Sequence, residues 1–468
     1  MERIMSSYLF RGISMNLRCS RWLKKFSYFE KRVDELSNVI FYGRIVSVNG
    51  LILKAVGLKI PIGARCFIER IINGHDINIE AEVIGLLKKE IILLSFEDTN
   101  GVVSGARVFS KLGSNTQYVL NKIPLGMKLL GRVLDGIGHP LDGRPIPHLK
   151  YYSKIYNHSI NPLKRRPITN VLDTGIRSIN GLLTIGIGQR IGLFSSSGVG
   201  KSILLGMIAK YTKSDVVVIA LIGERGREVK DFIENILGSE GSSRSVIIAA
   251  PADASPLKRV EGASYATSIA EYFRSKNKHV LLIMDSLTRY AMAQREISLA
   301  LNEFPVSKGY PPSIFSKIPD LLERTGNTYH ENGSITAFYT ILTESEEDHQ
   351  DPVSYLARSI LDGHIILSRQ YSDAGHYPAI DIESSISRIM PDIVNVKQYS
   401  QACHFKKLVS AYQRNKDLIH VGAYINGTNP ILDQAIRIWP KIEKFLQQEK
   451  SEKSDYSTAC KELNEIFI

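Results

Sequence analysis

The chain has 468 residues, 44% of them hydrophobic and 23% charged, with a net charge of +12. That length supplies two to four domains with sizeable cores, and the four scattered cysteines, Cys19, Cys66, Cys403 and Cys460, form no C-x-x-C pair, which argues against a disulfide framework or zinc site and for a reducing compartment. The positive balance favours an acidic partner, an anionic membrane or nucleic acid, but no nucleic-acid-reading motif accompanies it, and a solvated basic surface is the plainer reading.

No secretory h-region precedes the first elements, and the longest apolar run, Val216–Ile222, is too short to span a bilayer, so a cytosolic location is expected. From Trp22 the residues Trp22, Phe26, Phe29, Val33 and Leu36 recur at spacings of four and three. They form one stripe of a helix, with Arg21, Lys24, Lys25, Lys31 and Arg32 beside it. The stripe needs cover from a partner helix, its own domain or a membrane surface. Short β-rich runs follow at Val39–Val48, Leu51–Ala55, Ile77–Ile84 and Glu90–Phe96, separated by the turn pairs Asn49-Gly50 and Asn73-Gly74. Asn-Gly tolerates positive φ and marks hairpins, and several such strands predict a small closed barrel.

Beyond about Leu130, apolar runs at Arg190–Phe194, Asp215–Ile222, Ser245–Ala250, His279–Met284 and Ile335–Leu342 alternate with helical segments. Strands apolar on both faces belong to a parallel sheet covered by helices. After about Pro391 the strand signal fades, and Leu432, Ala435, Ile436, Trp439, Ile442 and Leu446 mark one face of a helix. The expected partition is a helical segment over 1–37, a barrel over 38–110, an α/β nucleotide domain over 111–390 and a helical domain over 391–468.

The chemistry concentrates in three places. Strand Arg190–Phe194 runs into Ser195-Ser196-Ser197-Gly198-Val199-Gly200-Lys201-Ser202 and then a helix, the context of a phosphate-binding loop. Glycines let backbone N–H groups turn around phosphates, Lys201 neutralises their charge and Ser202 offers a hydroxyl to magnesium. The loop pattern wants glycine at position 195, where this chain has serine; a glycine-rich helix entry with an exposed lysine is the bland alternative. Asp285 ends a buried strand where a magnesium-linked carboxylate sits, or else caps the next helix. Glu224 follows strand Asp215–Ile222 at the end where open sheets bind ligands, placed to polarise water; Glu228, one turn on, is a candidate to support the metal shell. The alternative is a salt-bridge cluster with the neighbouring arginines.

These motifs, in this order, resemble the catalytic subunits of rotary ATP synthases and the ATPases of type III export. Gly131–Gly136 and Pro378–Asp381 with Ser385 and Ser387 belong to that wider superfamily, while Gly223–Asn235, Pro251–Leu257, His279–Glu296 and Ala374–Ile382 look like the flagellar export ATPases. The resemblance runs from the Trp22 region to the C-terminus. It implies an α/β fold of the RecA type, with an N-terminal β-barrel and a C-terminal helical domain, assembled as a homohexamer that binds ATP and Mg2+ between subunits. Position by position it implies catalytic roles for Lys201, Glu224 and Arg388, the last an arginine finger given to the next subunit. Nucleotide contacts fall on 195–202, Arg225, Arg289 and Tyr377, with Tyr377 on adenine; metal contacts fall on Ser202, Asp285 and Glu228. From the residues alone, Arg388 reads as an exposed arginine and Tyr377 as core packing. Relatives carry Ala-Gly at positions 195 and 196; if position 196 needs positive φ, serine there costs about 1 kcal/mol and slows turnover.

The function implied is a motor that docks, releases and unfolds flagellar export substrates at the cytoplasmic face of the inner membrane. Implied partners are a regulator on the N-terminal helix, the export gate, a stalk protein, substrate–chaperone complexes and an anionic membrane surface, with no specific nucleic acid. The rivals are a virulence-type secretion ATPase, a proton-coupled ATP synthase subunit, a ring component without turnover and a RecA-type nucleic-acid translocase. The translocase needs exposed stacking aromatics on its β-domain, whereas strand alternation here predicts that Phe41, Tyr42, Phe67 and Phe96 are absorbed as core.

Overall fold

In a computed structural model the described residues are Trp22, 25–30, 41–72, 75–110, 122–147, 149, 151–155, 157, 159–329, 332–343 and 351–467. The chain divides into two compact units, Met1–Asn121 and Lys122–Ile468. Among the described residues no helix is long and apolar enough to cross a membrane.

In the first unit, residues 25–30 are helical and Trp22, Phe26 and Phe29 are exposed, with the Trp22 and Phe26 rings 6.2 Å apart. The rest of the predicted stripe, Val33 and Leu36, lies outside the described residues, as do Arg21, Lys24, Lys31, Arg32 and the Asn73-Gly74 turn. Six strands follow: β1 (Tyr42–Asn49), β2 (Ile52–Val56), β3 (Arg65–Ile72), β4 (His75–Leu87), β5 (Glu90–Ser95) and β6 (Arg107–Phe109). They close antiparallel in the order β1-β2-β5-β4-β3-β6, with β6 returning to β1. The Asn49-Gly50 hairpin joins β1 to β2, with Gly50 at φ 61°. Alternate residues, among them Ile45, Leu53, Cys66, Ile68, Ile79 and Leu93, point inward and fill the barrel. The same alternation corrects one expectation. Phe96 is buried, but Gly43 and Ile45 take the inward positions of β1, so Tyr42 faces out and Phe41 is 65% exposed. Tyr42, Phe109 and Phe67 form a row of rings at 5.6 and 5.7 Å on the outer wall, with the Arg107 guanidinium over Tyr42.

The second unit is built on a sheet of eight main strands: β7 (Arg132–Asp135), β8 (Arg190–Ser195), β9 (Val216–Ile222), β10 (Ser245–Ala250), β11 (His279–Asp285), β12 (Ser334–Leu342), β13 (Gly363–Leu367) and β14 (Ile380–Ser387). Their order is β14-β13-β8-β12-β11-β9-β10-β7, parallel throughout except for β14. The helices that matter here are α1 (Lys201–Tyr211), α2 (Gly226–Asp231), α3 (Pro256–Ser275), α4 (Leu287–Ala300), α5 (Val396–Arg414), α6 (Pro430–Leu446) and α7 (Tyr456–Ile466).

Strand β9 shows why its sequence is continuously apolar. Val216, Val218, Ala220 and Ile222 join one core with Tyr265 and Phe273 of α3 and Leu287 of α4. Val217, Ile219 and Leu221 join another with Leu205 and Ile208 of α1. Each buried aliphatic side chain contributes roughly 1.5–3 kcal/mol, so a strand with no polar face belongs in the sheet's interior, and β9 is paired on both sides. The C-terminal helices share the second core, through Phe405 and Leu408 of α5, Phe445 of α6 and Leu463 of α7. Strands β7, β13 and β14 were not recognised in the sequence. β7 and β14 are the edge strands, each with one flank free, β13 lies just inside β14, and polar residues interrupt the apolar pattern of all three.

Candidate active site

Parallel strands bring their carboxyl ends to one rim of a sheet, which is where ligands bind. Here the order β8-β12-β11-β9 brings together four features that the sequence scatters over about 150 residues. β8 ends in the loop 195–202, β12 carries Thr340, β11 ends in Asp285, and β9 ends just before Gly223 and Glu224.

The loop turns on Gly198 and Gly200, both left-handed at φ 86° and 83°. Gly200 starts α1, and a Cβ there would lie 3.2 Å from the ring of Tyr377. Neither Ser195 nor Ser196 has positive φ, so the strain weighed for a serine at position 196 does not arise. Ser195 closes β8 as an ordinary extended residue, its carbonyl accepting the Thr343 N–H at 3.0 Å. The Ser195 and Ser196 hydroxyls are buried, and among the described residues neither finds a hydrogen-bond partner. Buried donors without partners beside a helix N-terminus suit an anionic oxygen.

At the mouth of α1, Lys201 Nζ lies 2.6 Å from Asp285 Oδ1 and 3.3 Å from Glu224 Oε1. The three side chains are only 12%, 4% and 11% exposed. Burial works against the Lys201 ammonium, but the two carboxylates outweigh it and hold its pKa above the ordinary lysine value. Burial raises the Asp285 pKa more than Lys201 and a hydrogen bond from Thr340 lower it. One ammonium between two carboxylates leaves net negative charge, which suits a divalent cation. Among the described residues no three His, Cys, Asp or Glu side chains gather into a cage. Magnesium usually takes one or two protein ligands along with phosphate oxygens and water. Asp285 with the Ser202 hydroxyl fits that donor set.

The helix-cap alternative for Asp285 fails on geometry. Ser286 is the N-cap of α4, its hydroxyl accepting the Arg289 N–H at 3.2 Å. Asp285 is left to the site.

Other expected residues distribute unevenly. The aliphatic stem of Arg289 packs over Gly223, the residue before Glu224, where an added Cβ would come within 2.8 Å of the Arg289 Cβ. Arg225 is exposed and faces Glu228 at 3.6 Å along α2, and among the described residues no ion pair joins these two to the Lys201 cluster. Tyr377 is half exposed beside Gly200 and borders a cavity of about 830 Å³ reaching Val199, Ile203, Arg177 and Glu443. Arg388 follows β14, the edge strand. Ser387 pairs with Gly363, whereas β8 meets β13 at the tip through Ser195 and Leu367. Arg388, opposite Asp362, therefore stands five residues down the sheet from the loop of its own chain, roughly 16 Å along the strands. It is exposed and donates to the Arg358 carbonyl at 3.0 Å.

Two features escaped the sequence reading. Thr340 sits in a strand read as plain apolar; a lone threonine near the end of such a run was the available signal. The cavity beside Tyr377 joins residues more than 250 positions apart, from Arg177 to Glu452, and no local pattern announces it.

Residues 175–387 match the nucleotide-binding domain of the ATP synthase alpha/beta family, and residues 394–465 match the C-terminal domain of the type III secretion ATPase EscN. The flagellum-specific ATP synthase of Buchnera aphidicola subsp. Acyrthosiphon pisum is 70% identical over the full length of both chains. That of Salmonella typhimurium is 55% identical over 97% of this chain and 99% of its own. Among solved structures, the assembled ATPase EscN of the enteropathogenic E. coli type III secretion system superposes with a TM-score of 0.83 at 42% identity, covering 91% of this chain and 100% of its own. EscN in complex with its central stalk EscO gives 0.82 at 41%, with the same coverage. The chain belongs to the flagellum-specific ATP synthase family and is an ATPase of flagellar, type III protein export.

Proposed function

We propose that this ATPase is the motor subunit of a homohexamer, with ATP and Mg2+ held between neighbouring subunits and hydrolysis used to dock, release and unfold export substrates. The observation that carries the reading is the meeting of Lys201, Glu224 and Asp285 at adjacent strand tips beside a loop with two left-handed glycines. The loop amides, the Ser195 and Ser196 hydroxyls and Lys201 hold the phosphates, and Tyr377 packs on the base beside the cavity. Ser202 and Asp285 would hold magnesium, which supplies positive charge to the phosphate oxygens; Glu228 stands further out, where only a water could link it to them. Glu224 aligns a water with the terminal phosphorus and takes its proton as the new P–O bond forms and the bond to ADP breaks. Arg289 lines the phosphate region, and Arg225, which faces Glu228 in this structure, would have to leave that pair to join it. Arg388, on an exposed edge away from its own loop, reaches the next subunit's nucleotide and stabilises the developing charge.

The assembly of EscN around a central stalk supports a ring with a stalk partner here. The exposed Trp22, Phe26 and Phe29 stripe suits the export regulator, and the basic surface suits an anionic membrane. Export gate and substrate–chaperone complexes complete the partners, at the cytoplasmic face of the inner membrane. The partition into segments 1–37, 38–110, 111–390 and 391–468 belongs to the same proposal. The test is phosphate release per subunit against protein concentration. A steep rise is expected; a flat response from protein shown to be monomeric overturns the shared site.

The outer-wall rings Tyr42, Phe67 and Phe109 with Arg107 also give the nucleic-acid translocase reading a specific observation. Single-stranded RNA should leave hydrolysis unchanged; salt-sensitive stimulation of several-fold would favour the translocase.

A further inference from the structure

Strand β12 is apolar around Thr340: Phe338, Tyr339 and Ile341 are fully buried and Leu342 ends the strand. Thr340 itself is 0% exposed. A valine would fill the same space without burying a hydroxyl, whose desolvation is unfavourable unless a partner compensates. The partner is Asp285: Thr340 Oγ1 donates to Asp285 Oδ1 at 2.7 Å, and the Met284 carbonyl lies farther away at 3.4 Å. The two strands are adjacent and in register, Met284 opposite Tyr339, so the sheet itself fixes this contact.

Asp285 Oδ1 therefore accepts from both Lys201 and Thr340, while among the described residues Oδ2 is committed to neither. The two donors differ in kind. Lys201 hangs on a long flexible stem, and phosphates compete for its ammonium. Thr340 has one short side chain locked in a sheet. When Lys201 turns to phosphate, Thr340 is the donor that keeps the carboxylate from rotating.

We infer that Thr340 is a positioning residue for magnesium: by holding Asp285 Oδ1 it presents Oδ2 to the metal side of the site. This rests on the reading of Asp285 as the magnesium-linked carboxylate, and the test separates the two. Binding of a fluorescent, non-hydrolysable ATP analogue to the full-length protein is titrated with Mg2+ and repeated in EDTA. For Thr340→Val the Mg2+ midpoint should rise about tenfold, the usual scale for losing a hydrogen bond behind a metal ligand, with binding in EDTA unchanged. Thr340→Ser, which keeps the hydroxyl, should stay within about twofold of wild type. Thr340→Ala, which loses it with a different volume, should shift the midpoint the same way as valine and covers the case in which valine packs badly. A wild-type midpoint in both hydroxyl-free variants overturns the inference, as does an equal loss in EDTA, which marks mere damage to the fold. Asp285→Asn is the separate control. If it keeps the wild-type Mg2+ dependence, the metal reading of Asp285 fails; if it loses that dependence while Thr340→Val does not, only the role of Thr340 fails.

Discussion

The strand tips and the β14 edge treat charge in opposite ways. At the tips Lys201, Glu224 and Asp285 are nearly closed off from solvent and grip one another. At the edge Arg388 is exposed, meets a carbonyl, and among the described residues has no carboxylate partner. Buried charges survive only when paired, because desolvation costs several kcal/mol for an uncompensated ion. An exposed arginine carries no such obligation and stays available to another molecule. On the function proposed above, the tips form one half of a catalytic site and the edge arginine completes a neighbour's half.

The largest effects should come from the tips. Lys201→Ala and Glu224→Gln should each lower phosphate release by about a thousandfold, the scale of removing one preorganised charge-stabilising group. Glu224→Gln should still bind ATP, since its amide keeps the shape. Substantial hydrolysis by either variant would break the account of the tips.

Next comes the edge. Arg388→Ala should lose about a hundred- to a thousandfold in hydrolysis while its own Lys201 site stays intact. Mixing it with the Lys201→Ala protein should restore activity at interfaces that combine one intact group from each. No recovery in mixed assemblies would mean that the edge arginine does not act across subunits.

A smaller effect belongs to the cavity border. Tyr377→Ala should raise KM for ATP about fivefold with kcat little changed, as expected for losing one ring stack, and Tyr377→Phe should behave as wild type. A drop in kcat instead would place Tyr377 nearer the reacting phosphate than its contact with Gly200 indicates.

The smallest effect lies at the opposite edge of the same sheet. On β7, Arg132 holds Asp142 in a bidentate pair at 2.6 and 3.0 Å. The hydrogen bonds from Arg132 pull the Asp142 pKa down from 3.8 to about 2, against the effect of burial. A carboxylate with a depressed folded pKa adds stability that is present above its ordinary value and is lost as pH falls through the folded one. Asp142→Asn should therefore cost about 1 kcal/mol near neutral pH, allowing for solvent screening. The gap to wild type should narrow below about pH 4 and close near pH 2. Hydrolysis per folded molecule should not change. If activity falls with stability, the two edges are less separate than the comparison holds.

Much of the site was legible because its residues lie in contiguous stretches whose spacing has local physical meaning. The loop needs glycines where the backbone turns left-handed, and Gly198 and Gly200 are where that happens. Asp285 ends the apolar strand β11 and Glu224 comes two residues after the apolar strand β9, positions that chain order alone reveals. The barrel was legible from the Asn49-Gly50 turn and from alternation, but not its outward rings, because parity must be anchored before a face can be assigned. The strain weighed for Ser196 rested on a dihedral angle that composition cannot supply.

Local stretches of chain are enough to mark the glycine-turned loop, the carboxylates after apolar strands and the alternation of buried strands with helices, since each depends on neighbours a few residues away. Which strands lie side by side is settled by the folded sheet alone. That order sets Thr340 against Asp285 across 55 residues, brings Tyr377 onto Gly200, and puts Arg388 on an edge beyond reach of its own loop. The reason is physical: a strand's two neighbours are chosen by packing and hydrogen bonding over the whole sheet, and no local stretch of chain contains that choice.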